Sequence, residues 1–171
     1  VGDAAKQRYQ SLGIDLEEVK QSLLAVNNLA LEGKPEDMVI TSHICRGNYH
    51  STYFTSGPYD SVADYVFAKE NVDALFLEYD DERSGGFAPL AKVSPDKKVV
   101  LGLITTKTPE LEDKKEVIER IHEAAKYIPL DRLCLSPQCG FASCEIGNKL
   151  TEEQQWAKLK LVKEIAEEVW G

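Results

Sequence analysis

The chain has 171 residues, of which 43% are hydrophobic and 29% charged, and it carries a formal net charge of −9. This balance is typical of a globular protein with a hydrophobic core, and it argues against disordered and fibrous classes. The acidic excess disfavours nucleic acid as a partner, and no apolar run is long enough to span a membrane. The 4 Cys, without an apolar signal-peptide core at the N-terminus, indicate reduced thiols and a cytoplasmic address.

The first part of the chain shows two helical patterns, each followed by an apolar strand. Apolar residues recur at helical intervals over residues 14–31, and Gly33 and Pro35 end the pattern. DMVITSHIC predicts a strand that ends in a polar loop, and a second helix is expected after Pro58. VDALFLEYD predicts a second apolar strand, which is followed by acidic residues and a Gly-Gly turn.

The second part continues the alternation of strand and helix. KKVVLGLIT predicts a third buried strand, and residues 111–128 carry apolar side chains on one helical face. LCLSP predicts a fourth strand, and Thr151 with Gln154 offers a capping box for a helix ending near Trp170. Four consecutive βα units predict an α/β fold with a parallel sheet, either doubly wound or a TIM-type barrel. We expect residues 1–171 to form a single domain.

Four residues with metal-binding side chains fall at the ends of these strands. His43 and Cys45 are two positions apart, so a continuing strand would direct both side chains to the same face. Glu78 ends an apolar strand, where an unpaired carboxylate would be costly and a cation is the expected partner. Cys139 lies in the loop after the fourth strand, where a thiol is accessible. Parallel strands bring these ends together, and the resulting N, S, O and S donor set suits tetrahedral zinc.

Each of these residues also has a simpler interpretation. An isolated His-x-Cys is more often a loop histidine beside a packed cysteine, and Glu78 could be a solvated acid in an acidic loop. Cys134 lies inside the fourth strand and is expected to be a core residue. Cys144 shares a loop with Cys139 and could be a substitute ligand, although a residue without a role in metal binding is the favoured interpretation. Arg46 and Arg83 could contact an anionic substrate or remain solvated loop charges.

Four segments carry a resemblance to a known family: ITSHICRGN, FLEYDDERSGGFAPL, LGLITTKTPELEDK and LCLSPQCGFAS. They resemble the catalytic domain of cobalamin-independent methionine synthases, and the resemblance covers nearly the whole chain. It implies the C-terminal half of a (βα)8 barrel whose zinc is bound by His43, Cys45, Glu78 and Cys139. It also implies transfer of a methyl group from a methylated folate to the thiol of homocysteine, giving methionine.

The chain departs from that family in two respects. The family has a catalytic His at the end of the third strand, in a region where this chain has Thr105 and Thr106. The family barrel has eight βα units, and this chain supplies four, so we expect an upstream barrel half or self-association. Three interpretations follow: a zinc-dependent methyltransferase fragment, a truncated zinc- and thiol-binding module without transferase activity, and an α/β domain without metal.

Overall fold

The computed structural model describes residues 3–171, so the first two residues of the expected single domain lie outside the described residues. Its helices are α1 (Asp3–Ser11), α2 (Leu16–Ala30), α3 (Asp60–Val62), α4 (Lys114–Ala124) and α5 (Glu152–Trp170). A π-helical turn, Ala63–Phe67, extends α3, and three 3-10 turns lie at Glu82–Ser84, Ala88–Lys92 and Leu130–Arg132. None of the described helices is long and apolar enough to cross a membrane.

Four strands form one parallel sheet in the order β1-β2-β3-β4. They are β1 (Thr41–Ile44), β2 (Ala74–Glu78), β3 (Lys98–Ile104) and β4 (Leu133–Pro137). The prediction of parallel βα units in an α/β fold is therefore confirmed. Spatial order follows chain order without a reversal, as in a barrel wall, whereas a doubly wound sheet reverses at a switch point.

The sheet is covered by helices on the side that forms the core. All of β3 after Lys98 is buried, and α5 packs against β4 and α4. The buried apolar set includes Phe67, Leu75, Leu77, Leu101, Leu103, Val117, Ile121, Leu161 and Ile165. Burial of both faces of β3 explains its continuous apolar sequence, which is typical of parallel strands.

Two elements are shorter than the sequence pattern predicts, for local reasons. The first strand begins at Thr41 rather than Asp37, because the Asp73 carboxylate accepts the Ile40 N–H at 2.7 Å. The helix expected over residues 111–128 begins at Lys114, because Asp113 caps it by accepting two backbone N–H groups. Capping by a polar side chain fixes a helix boundary that the apolar spacing does not mark.

The capping box of the last helix is confirmed. The Thr151 hydroxyl accepts the Gln154 N–H at 3.3 Å, and the Gln154 side chain accepts the Thr151 N–H at 2.8 Å. These two bonds satisfy backbone donors that an uncapped helix leaves free. They fix the start of α5, and so the end of the loop that carries Cys139.

Candidate metal centre

The structure brings all four predicted ligand residues together. The candidate ligand atoms of His43, Cys45, Glu78 and Cys139 lie within 4.8 Å of one another. They come from the carboxyl ends of three strands: His43 and Cys45 from β1, Glu78 from β2 and Cys139 from β4. In the parallel register Ile44 pairs with Leu77, which places the next residues, Cys45 and Glu78, at the same edge of the sheet.

A glycine allows the fourth strand to reach this edge. A Cβ on Gly102 of β3 would lie 2.9 Å from the Gln138 Cα and 2.9 Å from the Leu77 carbonyl oxygen. Only a residue without a side chain allows this close approach of the three backbones. The Gln138 N–H also donates to the Ile104 carbonyl at 2.7 Å, which holds the start of the Cys139 loop against β3.

Two distances between ligand atoms in the cluster match those around a tetrahedral ion. Sulfur ligands at about 2.3 Å from zinc stand about 3.8 Å apart in a tetrahedron, and nitrogen and oxygen ligands at about 2.0–2.1 Å stand about 3.3 Å apart. The two Sγ atoms of Cys45 and Cys139 are 3.8 Å apart, and the cysteines are free. His43 Nε2 and Glu78 Oε1 are 3.3 Å apart. Both distances therefore match those between ligand atoms in a zinc site.

The Glu78 carboxylate has one oxygen held by protein and one available to a cation. Its side chain is fully buried, and Oε2 accepts the Arg46 N–H at 3.0 Å. Oε1 is buried and faces the His43 ring nitrogen at 3.3 Å, with no other partner among the described residues, so a cation bound there would offset the cost of burying a carboxylate. Burial raises the pKa of Glu78, but His43, Gln138 and the Arg46 N–H outweigh it and leave the pKa below its usual range.

The other three candidate ligands shift one another's pKa values. Hydrogen bonds to Cys139 and Glu78 raise the pKa of His43 to about 10, against the opposing effect of burial. The same contact with His43 lowers the pKa of the Cys139 thiol, which Ser143 also stabilises as thiolate. Burial raises the pKa of Cys45, and the Gly47 N–H, 3.2 Å from Cys45 Sγ, opposes that shift.

One side of the cluster is open and the other is closed. The His43 side chain is 35% exposed and Cys45 is exposed, whereas Glu78 has 0% exposure. A bound ion would therefore contact Glu78 on its buried side and remain accessible to solvent on the side of His43 and Cys45. An open face is a property of catalytic metal sites rather than closed structural ones.

The other cysteines and histidines lie outside the cluster. Cys134 and Cys144 are half-buried and free, so Cys134 is less buried than its expected core position implies. The Nδ1 atom of His50 is 3.1 Å from the Gly147 carbonyl oxygen, and His122 is exposed on α4. None of these residues joins the candidate ligand group.

The side chains of the two arginines beside the ligands are buried, which excludes the alternative that they are solvated loop charges. Arg46 is 7% exposed and stacks on the Tyr59 ring, with its guanidinium carbon 4.2 Å from the ring centre. The Arg83 side chain is 5% exposed and binds Asp80 at 2.8 Å, with Glu78 3.7 Å away. Arg83 thus places a cation on the Glu78 side of the cluster, where it favours the charged form of that carboxylate.

Lys107, at the end of β3, lies near the candidate ligands although its sequence pattern does not indicate such a position. Thr105 donates its backbone N–H to Glu112 at 2.7 Å, and the Thr106 hydroxyl donates to the Gln138 amide oxygen at 3.2 Å. The Lys107 side chain is 8% exposed, and its ammonium also donates to the Gln138 oxygen and lies 3.6 Å from Asp80. A lysine in a polar TTKT run gives no burial signal, because its contacts come from distant strands.

Fold and site together define a class of protein: an α/β domain of parallel βα units with a candidate thiolate, imidazole and carboxylate metal centre at its strand ends. The sequence profile of the family described as the catalytic domain of cobalamin-independent synthase matches residues 20–168. The chain therefore belongs to the cobalamin-independent methionine synthase family, as its motifs predict.

Curated relatives are similar along nearly all of this chain. It is 53% identical over 165 residues to the uncharacterized protein YxjG of Bacillus subtilis, covering 96% of this chain and 44% of the relative. YxjH of the same organism is 53% identical over 169 residues, covering 98% of this chain and 45% of the relative. A 5-methyltetrahydropteroyltriglutamate–homocysteine methyltransferase of Bacillus licheniformis is 30% identical over 115 residues, covering 66% and 14%.

Solved structures of the family have the same fold. A candidate vitamin-B12-independent methionine synthase from Listeria monocytogenes gives a TM-score of 0.73 at 42% identity, covering 93% of this chain and 43% of that one. A B12-independent methionine synthase from Shewanella in complex with selenomethionine gives 0.71 at 25% identity, covering 90% and 44%. The chain thus spans less than half the length of these proteins.

Proposed function

We propose that this chain carries the zinc-binding, thiol-activating part of a methyltransferase that moves a methyl group from a methylated folate to homocysteine. The observation that carries the proposal is the cluster of His43, Cys45, Glu78 and Cys139. Its two sulfur atoms are 3.8 Å apart, and the His43 nitrogen is 3.3 Å from the Glu78 oxygen. Relatives named as methionine synthases and as a homocysteine methyltransferase support the choice of reaction. The same cluster in a module without transferase activity is the second candidate, because the chain spans only 43–45% of four of its relatives.

Zinc held by these ligands would lower the pKa of a bound substrate thiol, so that its thiolate predominates at neutral pH. The protein's own residues prepare the site for that chemistry. Cys45 and Cys139 supply thiolate ligands with partial negative charge, which keeps the sulfur of a bound substrate electron-rich. His43 and Cys45 form the open side, where a small thiol has room to approach.

The proposal predicts that the chain alone binds a thiol at its metal. Cobalt(II) in place of zinc gives absorption bands that increase with each thiolate ligand. We expect homocysteine to intensify the thiolate-to-cobalt bands of the cobalt-loaded chain, and homoserine, which lacks sulfur, to leave them unchanged. Equal spectra with both compounds would contradict a thiol-activating site.

Metal binding is expected to release protons near neutral pH. In the metal-free site His43 is protonated, since its pKa is about 10, and the raised pKa of Cys45 keeps that thiol protonated too. Both must lose their protons to become ligands, whereas Cys139, with its lowered pKa, does so readily. Zinc affinity should therefore rise with pH through the neutral range and up to the pKa of His43, about 10. Zinc titration in weakly buffered indicator solution measures the release, and pH-independent affinity would contradict this assignment of protonation states.

We further propose that the exposed apolar surface of this chain is covered by further strands of a barrel or by a second copy. No residue of α2 is buried, although Leu23, Val26 and Leu29 lie on it with about 60% exposure each. Apolar patches of this kind are usually covered. Among the described residues β1 and β4 are the edge strands of the sheet, and open sheet edges also tend to pair. We expect the 171 residues alone to self-associate in light scattering. A monodisperse monomer across the concentration range would contradict this expectation.

A further inference from the structure

A ring of buried polar side chains lies beneath the metal cluster and includes one of its ligands. Arg83 lies between Glu78 and Asp80, at 3.7 Å and 2.8 Å. Asp80 is 3.6 Å from the Lys107 ammonium, which donates to the Gln138 amide oxygen. The Gln138 side chain in turn lies close enough to Glu78 to lower the pKa of that carboxyl, although its amide nitrogen makes no hydrogen bond among the described residues. Side chains from the ends of β2, β3 and β4 thus connect Lys107 to Glu78 on two sides, through Asp80 and Arg83 and through Gln138.

The ring fixes the orientation of the Gln138 amide. Its oxygen accepts from both Lys107 and the Thr106 hydroxyl, the latter at 3.2 Å, so the amide nitrogen must point elsewhere. That nitrogen is buried and makes no hydrogen bond among the described residues. An amide held in this way presents a donor toward the neighbouring Glu78 carboxylate, and removing Lys107 would free it to flip.

We propose that Lys107 is a positioning residue for the metal centre: through Gln138 and through Asp80 and Arg83 it holds the Glu78 carboxylate with Oε1 toward His43 and the cysteines. The inference rests on the proposed metal centre. Partners that orient metal ligands change metal affinity when they are replaced, commonly by about 10–100-fold. Lys107 acts on the ion through another side chain, because its own contacts are to Gln138 and Asp80.

The sign of the effect separates positioning from simple charge. Removing a nearby positive charge should strengthen binding of a divalent cation if charge alone matters. Loss of a positioning contact should weaken binding, because the carboxylate ligand becomes free to turn. A substitution at Lys107 therefore moves zinc affinity in opposite directions under the two explanations.

The test compares Lys107→Met with Lys98→Met, which makes the same change in net charge. Lys98 is exposed at the opposite end of the same strand, β3. Zinc dissociation constants from competition with a chromophoric chelator should be about 10-fold weaker for Lys107→Met and unchanged for Lys98→Met. Lys107→Arg, which keeps charge and donors, should recover most of the affinity. The cobalt(II) ligand-field bands should shift only in Lys107→Met.

Several results would overturn the proposal. Unchanged or tighter zinc binding by a folded Lys107→Met protein would show that Lys107 does not position Glu78. If that variant fails to fold, Gln138→Leu interrupts the same ring, and wild-type affinity in that variant would equally reject the idea. Failure of the unsubstituted chain to bind zinc at all would instead reject the proposed metal centre on which this inference rests.

Discussion

Mixed with homocysteine and a methylated folate, the zinc-loaded 171-residue chain should form no methionine above background. Methyl transfer requires the donor carbon and acceptor sulfur to be held in near-attack contact, and such alignment supplies about 7–11 kcal/mol of barrier reduction. The described residues offer a site for the sulfur, whereas the whole relatives are more than twice as long as the part that this chain covers. The measurement is methionine formation over time by mass spectrometry.

A second assay repeats the measurement after adding another chain, which carries the remaining part of the barrel from a full-length relative. We expect turnover to appear only in the mixture, and to depend on zinc. Turnover by the 171-residue chain alone would show that it holds both substrates itself. No turnover in the mixture, with zinc and thiol bound normally, would favour the binding module without transferase activity.

The second large effect is expected from a change at one cysteine. Cys139→Ser removes one of two thiolates from the cluster, so zinc should be lost at concentrations that saturate the unsubstituted protein. Cys134→Ser is the matched control, because that cysteine belongs to the same strand region but lies outside the cluster. Zinc per chain, measured by elemental analysis after mild dialysis under reducing conditions, should fall only in Cys139→Ser.

Zinc loss should also reduce thermal stability, because the ligands come from three strand ends that are far apart in sequence. A chelator should therefore lower the melting temperature of the unsubstituted protein and of Cys134→Ser, and have little effect on Cys139→Ser. Stoichiometric zinc in Cys139→Ser together with zinc loss in Cys134→Ser would mean that the wrong thiol was assigned.

Much of the fold follows from local sequence pattern. The strand LCLSP and the capping box of α5 occur where the sequence places them, because apolar alternation and capping depend on neighbouring residues. The boundaries of β1 and α4 differ, since they depend on side chains such as Asp73 and Asp113 that accept backbone N–H groups. The choice between barrel and doubly wound sheet required the strand order, which local periodicity does not contain.

The proximity of the candidate ligands could also be predicted, because parallel strands bring their carboxyl ends to one edge. The contacts of the residues around the ligands could not be predicted. The burial of Arg46 and Arg83 depends on Tyr59 and on acids that fold over them, and the position of Lys107 depends on Gln138 from another strand. These contacts join residues that are far apart or lie in loops, where sequence carries no periodic signal.

The most direct test of the metal centre is zinc X-ray absorption on the chain purified under reducing conditions. We expect one zinc per chain, with two sulfur ligands at about 2.3 Å and nitrogen or oxygen ligands at about 2.0–2.1 Å. In Glu78→Gln the two sulfurs should remain while the shell of lighter ligands changes. A coordination shell with no sulfur or with four sulfurs, or a chain without zinc, would contradict the assignment of His43, Cys45, Glu78 and Cys139.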